Sequence, residues 1–169
     1  MPFTMETQEK THWCWAAVAV SVKKFFAAAS TLTQCDVVFP VLSNDGVIPG
    51  VRNCCTNKDL CNFPAVLQDA LQLGITNNLR RTATNPLPFA GRTSVKSELR
   101  AGRVVAARIA WPSGGGHFVV IDGFTQYTSG AQIVNVADPF YEAGLMFYDE
   151  LVSSYLGDGA WTDSFLLKP

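Results

Sequence analysis

The apolar pattern of this 169-residue chain changes character after Gly102, and that change limits the fold more than any other feature. Before it, apolar residues come in longer stretches: the Ala-, Val- and Phe-rich run that follows Cys14, a second from Gln34 to Leu42, and "NFPAVLQDALQLG". After it come "RVVAARIAW", "HFVVIDGF", "AQIVNVAD", "GLMFYD" and "WTDSFLL", short β-branched or aromatic runs separated by Gly, Ser, Pro and Asn. The first kind reads as helix and the second as strand. Helices first and an antiparallel sheet second is the α+β pattern, and two such layers meeting edge to edge leave a groove between them.

Local signals place the elements. A helix is expected from Cys14 to about Ala29; its apolar residues cover most of its circumference, which suits a central position. Thr33 caps a second helix around Gln34–Leu42, with Pro40 near its end. In the third, Asn62 is the expected cap, Pro64 lies in the first turn and Gly74 terminates it. "NPLPFAGRTSVKSELRAG" reads as a linker followed by a short helix ending at Gly102, and Asp149–Tyr155 as a helical turn. Residues 1–12 read as an extended polar lead-in.

Residues 43–62 form a loop rich in Gly, Pro and Asn that needs stapling, and the cysteines supply the means. Cys35, Cys54, Cys55 and Cys61 are close in sequence, while Cys14 stands alone. An odd count with one outlier suggests two disulfides and one free thiol. Adjacent cysteines rarely bond each other, so Cys35 pairs with one of Cys54 and Cys55, and Cys61 with the other. A four-cysteine zinc site would need paired C-x2-C knuckles, which are absent. Disulfides imply an oxidising compartment at some stage of the protein's life.

Composition excludes several classes. With 48% hydrophobic and 16% charged residues, the chain can bury a core and is not disordered. A net charge of -1, with Lys and Arg scattered, gives no reason to expect nucleic acid or an anionic membrane as partner. The longest apolar stretch, Trp13 to Val22, is too short to span a bilayer. The first residues, "MPFTMETQEKTHWC", lack the features of a signal peptide.

Cys14, between two tryptophans at the start of a helix, raises the chemical question. Helix N-terminal amides favour an anion, so a thiolate there is stabilised; the alternative is a small buried hydrophobe. His117 shifts the balance, because it follows "SGGG" and starts a strand in the other half of the chain. An imidazole that takes the thiol proton makes a nucleophile, whereas alone it would read as a hydrogen-bonded strand end. The other histidine, His12, lies in the lead-in and is the poorer base. Asp138 ends a strand before Pro139 and could accept from the imidazole and fix its tautomer. Asp122, within an apolar strand, ranks second for that role. Gln8 precedes Cys14 by six residues, so a bend would bring its amide beside the sulfur. With the Cys14 backbone N–H it would form an oxyanion hole.

Taken in this order, Gln8, Cys14 with Trp15 and Ala16, the glycine-led His117 and Asp138–Pro139 resemble the papain-like cysteine peptidases. "WCWAA", "TQCDVV", the "CC" pair with a following Cys, "GGGHFVVIDGF" and "ADPF" resemble more closely the small bacterial group that includes secreted plant-pathogen effector proteases. The likeness runs from about Gln8 to Trp161. It implies one catalytic domain over 1–169, with a helical lobe at about 1–92, a β lobe at about 93–169 and the active-site cleft between them. It implies Cys14 as nucleophile, His117 as general base and then acid, Asp138 as orienter and Gln8 as oxyanion donor. No metal or cofactor is implied. Papain itself orients its histidine with an asparagine, and its disulfide beside the nucleophile has no counterpart in "THWCW".

The expected function is therefore a monomeric cysteine endopeptidase acting on a protein or peptide through a thioester. The group implies secretion or export, with delivery into a host cell as one destination. Two other classes share these residues. One is a cysteine amidohydrolase, such as a glutamine deamidase, a transglutaminase-type toxin or a cell-wall amidase. The other is an inactive, disulfide-stapled binding module. Trp111 and Trp161 fit the core better than a cleft wall.

Overall fold

In a computed structural model, which describes residues 2–141 and 144–169, the chain divides into two compact units. One comprises Met1–Leu79 with Pro169 and the other Arg80–Lys168. Residues 80–83 belong to a strand of the sheet.

The first unit is built on α1 (Cys14–Phe26), buried from Cys14 through Val22 and packed against α2 (Gln34–Asn44) and α3 (Leu67–Gln72). Burial on all sides is what its small and β-branched residues allow. Lys23 and Lys24 in its last turn complement the helix dipole. At the start of α2 the Asp36 carboxylate accepts the Thr33 backbone N–H at 2.9 Å and the Thr33 hydroxyl at 2.5 Å. Pro40 sits inside α2, which continues to Asn44, beyond the expected end.

The third helix is shorter than its caps suggested. It begins at Leu67, not after Asn62, because Asn62 is engaged elsewhere. Its Oδ1 accepts the His12 backbone N–H at 3.0 Å and its Nδ2 donates to Thr11 Oγ1 at 2.9 Å. The Phe63 carbonyl accepts from Trp15 Nε1 at 3.2 Å, so the segment before Leu67 is held in non-helical form.

Two disulfides fix the loop after α2. Cys35 bonds Cys55, and Cys54 bonds Cys61, so the adjacent cysteines reach in different directions. Cys61 ends a 3-10 turn over Lys58–Cys61. Ion pairs Lys10–Asp59 at 2.6 Å and Lys58–Glu9 at 2.7 Å tie that turn to the lead-in.

The second unit is one six-stranded sheet in the order β1-β6-β2-β3-β4-β5. The strands are β1 (Leu79–Ala83), β2 (Val105–Ala110), β3 (Gly116–Gln126), β4 (Gln132–Ala137), β5 (Gly144–Phe147) and β6 (Ala160–Leu167). The β2–β3, β2–β6, β3–β4 and β4–β5 pairs are antiparallel. Helix α4 (Val95–Arg100) packs on β2 and β3, and α5 (Tyr148–Ser153) on β4, β5 and β6. Their core combines Val105, Ala107 and Ile109 with Val119, Ile121, Val136, Leu151 and Trp161. Trp161 is thus a core residue, and Trp111 packs against the same cluster. Among the described residues no helix is long and apolar enough to cross a membrane.

Candidate active site

Cys14 is the first residue of α1, 7% exposed, and the one free cysteine among the described residues. Its backbone N–H belongs to the first helical turn, where amides lack an intrahelical carbonyl. Both flanking tryptophans are anchored. Trp13 Nε1 donates to the Cys61 carbonyl at 2.8 Å, and Trp15 Nε1 to that of Phe63. The thiol is thereby braced by the disulfide loop and the segment after it.

The lead-in is pinned rather than loose. Gln34, buried at the start of α2, accepts the Glu9 backbone N–H at 3.0 Å and donates to the Thr7 carbonyl at 2.8 Å. The Gln8 amide turns to the chain. Nε2 donates to the carbonyls of Lys10 at 2.8 Å and Thr11 at 2.9 Å, which engages both of its hydrogens. Among the described residues Gln8 Oε1 is buried and has no hydrogen-bond partner.

In the second unit His117 and Asp138 meet. His117 is the second residue of β3 and Asp138 follows β4, its antiparallel neighbour. His117 Nε2 lies 2.7 Å from Asp138 Oδ2, and both residues are buried, 8% and 7% exposed. The carboxylate is fully engaged: Oδ1 accepts the backbone N–H groups of Phe140 and Tyr141, each at 2.7 Å, and Oδ2 also accepts the Tyr155 hydroxyl at 2.6 Å. Burial pushes the Asp138 carboxyl up, but hydrogen bonds and charge from His117, with those from Tyr155 and Tyr141, outweigh it and hold it below the usual carboxylate range. Facing an ionised carboxylate, His117 Nε2 is the donor of this hydrogen bond.

The "SGGG" run has a local explanation. Gly114 and Gly115 turn with φ of +94° and +81°, which only glycine adopts at little cost. At Gly116 a Cβ would lie 3.0 Å from the Arg108 guanidinium. Asp122, the second choice for orienter, is bonded instead by Asn135 Nδ2 at 2.6 Å, next to a register shift between β3 and β4. Burial raises its carboxyl pKa. The backbone of His12 is held by Asn62.

Tyr155 was not singled out in the sequence. Burial and then Asp138 push its hydroxyl far above the ordinary tyrosine range, so it remains a donor. Tyr141 places its ring edge-to-face with His117, centroids 6.0 Å apart. Nothing local marks Tyr155, which depends on a partner 17 residues away.

A buried free thiol at a helix start and a buried imidazole–carboxylate pair on a sheet are the parts of a cysteine peptidase. The family model of papain-like cysteine protease AvrRpt2 matches residues 1–145. The chain belongs to that family. Its membership makes it a cysteine peptidase at family level, and a protein the class of substrate. The matched span includes Cys14, His117 and Asp138; Tyr155 lies beyond it. No curated protein matches the chain.

Proposed function

We propose that the chain is a cysteine endopeptidase with Cys14 as nucleophile, His117 as base and then acid, and Asp138 as orienter. The single observation that supports the reading is the buried His117–Asp138 pair, in which Nε2 lies against the carboxylate. His117 takes the proton of Cys14, and the thiolate adds to the scissile carbonyl. The oxyanion is met by the Cys14 backbone N–H. Gln8 joins it as second donor by turning one Nε2 hydrogen away from the Lys10 or Thr11 carbonyl. His117 then protonates the leaving amine, and water resolves the thioester.

The two-lobe papain-like arrangement, one domain with the cleft between helical and β lobes, belongs to this proposal. So does export into an oxidising compartment, with which the two disulfides are compatible. The enzyme is proposed to act as a monomer on a peptide segment of a protein, without nucleic acid, membrane, metal or cofactor.

Digestion of a peptide library, comparing wild type with Cys14→Ala without reductant, tests the reading. Cleavage at defined bonds that vanishes in the variant is the expected result. No cleavage with rapid alkylation of Cys14 at neutral pH would favour an amidohydrolase; no cleavage and an inert thiol would leave a binding module.

A further inference from the structure

We infer that the second unit holds a binding site for a small anion with two or more phosphate groups, separate from His117 and Asp138. Four of the chain's seven arginines, Arg80, Arg81, Arg92 and Arg103, line one cavity of about 510 Å³. They come from different segments: β1, the loop before α4, and the turn between α4 and β2. The cavity lies at the β1–β6 end of the sheet, whereas His117 and Asp138 belong to β3 and the end of β4.

The site is built around a buried carboxylate. Glu98, whose side chain is 5% exposed, receives Arg80 Nη2 at 2.7 Å and Arg103 Nε at 2.8 Å on the same oxygen, Oε2. Two guanidinium groups are therefore fixed in place before any ligand arrives. Arg81 and Arg92 have no ion pair or hydrogen bond among the described residues. By contrast Arg108 is paired with Asp163 and Thr162, and Arg100 lies over the Phe124 ring. One carboxylate against four guanidinium groups leaves three positive charges in excess on a chain of net charge -1.

Guanidinium forks match phosphate oxygens in pairs, and a phosphate ester concentrates more charge than a carboxylate in the same volume. The volume suits a small molecule. Among the described residues no aromatic side chain lines the cavity, so a stacked base has no platform there, while the Thr93 hydroxyl adds a donor suited to a sugar or polyol phosphate.

Titration calorimetry of the full chain with tripolyphosphate, at about 0.15 M ionic strength, tests this. One saturable site per chain is expected, weakened about a hundredfold in Arg81→Ala/Arg92→Ala. Both residues are exposed, so the variant should unfold at the same temperature as wild type without ligand. Arg52→Ala/Arg100→Ala should bind as wild type does. Absence of saturable heat, undiminished binding in the first variant, or equal loss in the second would overturn the site. Equally tight binding of an oligoglutamate peptide would overturn the phosphate assignment.

Discussion

The Tyr155 hydroxyl donates to Asp138 Oδ2 from 2.6 Å, and His117 Nε2 reaches the same oxygen at 2.7 Å. One atom thus serves two donors, and what happens to one bond is felt by the other. Tyr155→Phe removes a buried hydrogen bond to a charged acceptor. It is expected to cost about 1.5–3 kcal/mol of stability and to lower kcat about tenfold, with KM little changed. Denaturant unfolding and steady-state kinetics check this; unchanged kcat would mean that the phenol braces the fold alone.

Asp138→Asn keeps the side chain's shape but removes the charge that fixes His117 with its proton on Nε2. An amide nitrogen facing Nε2 favours the other tautomer, with the proton on the nitrogen that in the proposed mechanism accepts one from the thiol. A loss of kcat on the order of 10²–10⁴ is expected. Thermal unfolding near neutral pH should show that the variant folds. Activity within a few-fold of wild type would rule out an orienting role.

Gln8 holds a turn in this structure, and the proposed mechanism asks its amide for a second task. Gln8→Ala should lower kcat by about 10²–10³ if an Nε2 hydrogen reaches the oxyanion. If the side chain only secures the carbonyls of Lys10 and Thr11, stability falls while kcat is nearly kept. Kinetics and unfolding measured on the same variant separate the two.

Acid should destabilise the second unit through Asp138 and Glu98. Burial opposes ionisation of both, but His117 with Tyr155 in one case, and Arg103 with Arg80 in the other, hold them below the usual carboxylate range. Each therefore contributes stability that is complete above the unfolded value of about 4 and is lost as pH falls through the lower folded value. The Asp138→Asn/Glu98→Gln variant should be less stable at neutral pH and show a shallower decline below about pH 4. Unfolding temperatures across the acid range decide it; parallel curves would contradict the assignment.

The two disulfides should differ in accessibility. Cys55 is exposed, whereas Cys54 and Cys61 are fully buried. Limiting reductant followed by alkylation and mass spectrometry should label Cys35 and Cys55 first, with a loss of about 2–4 kcal/mol once that loop opens. Earlier labelling of Cys54 and Cys61 would show that the loop opens as a whole.

The helices and strands of the core were legible because their apolar spacing reflects what they bury. β1 was not: "LRRTA" is largely exposed and gains its place from β6, not from an apolar pattern of its own. The third helix was read too long because Asn62 has the chemistry of a cap, and only the folded chain shows it bonded to His12 and Thr11. Cys14, His117 and Asp138 stood out because a lone thiol, a glycine-led imidazole and a strand-end carboxylate each suit a chemical task. Gln8 had the right spacing, but the direction of its amide depends on two backbone carbonyls that spacing does not reveal. Tyr155 and the arginine cavity belong to residues that become neighbours only when distant segments meet.

Strand β6, Ala160–Leu167, lies inside the sheet between β1 and β2. The other five strands are synthesised before it, yet until it arrives β1 lacks its neighbour and β2 keeps an open edge. The sheet that carries His117 and Asp138 cannot close during most of its own translation, while α1 to α3 have all their residues by the time the ribosome reaches Gln72. The thiol's surroundings can thus take shape well before the base that would activate it.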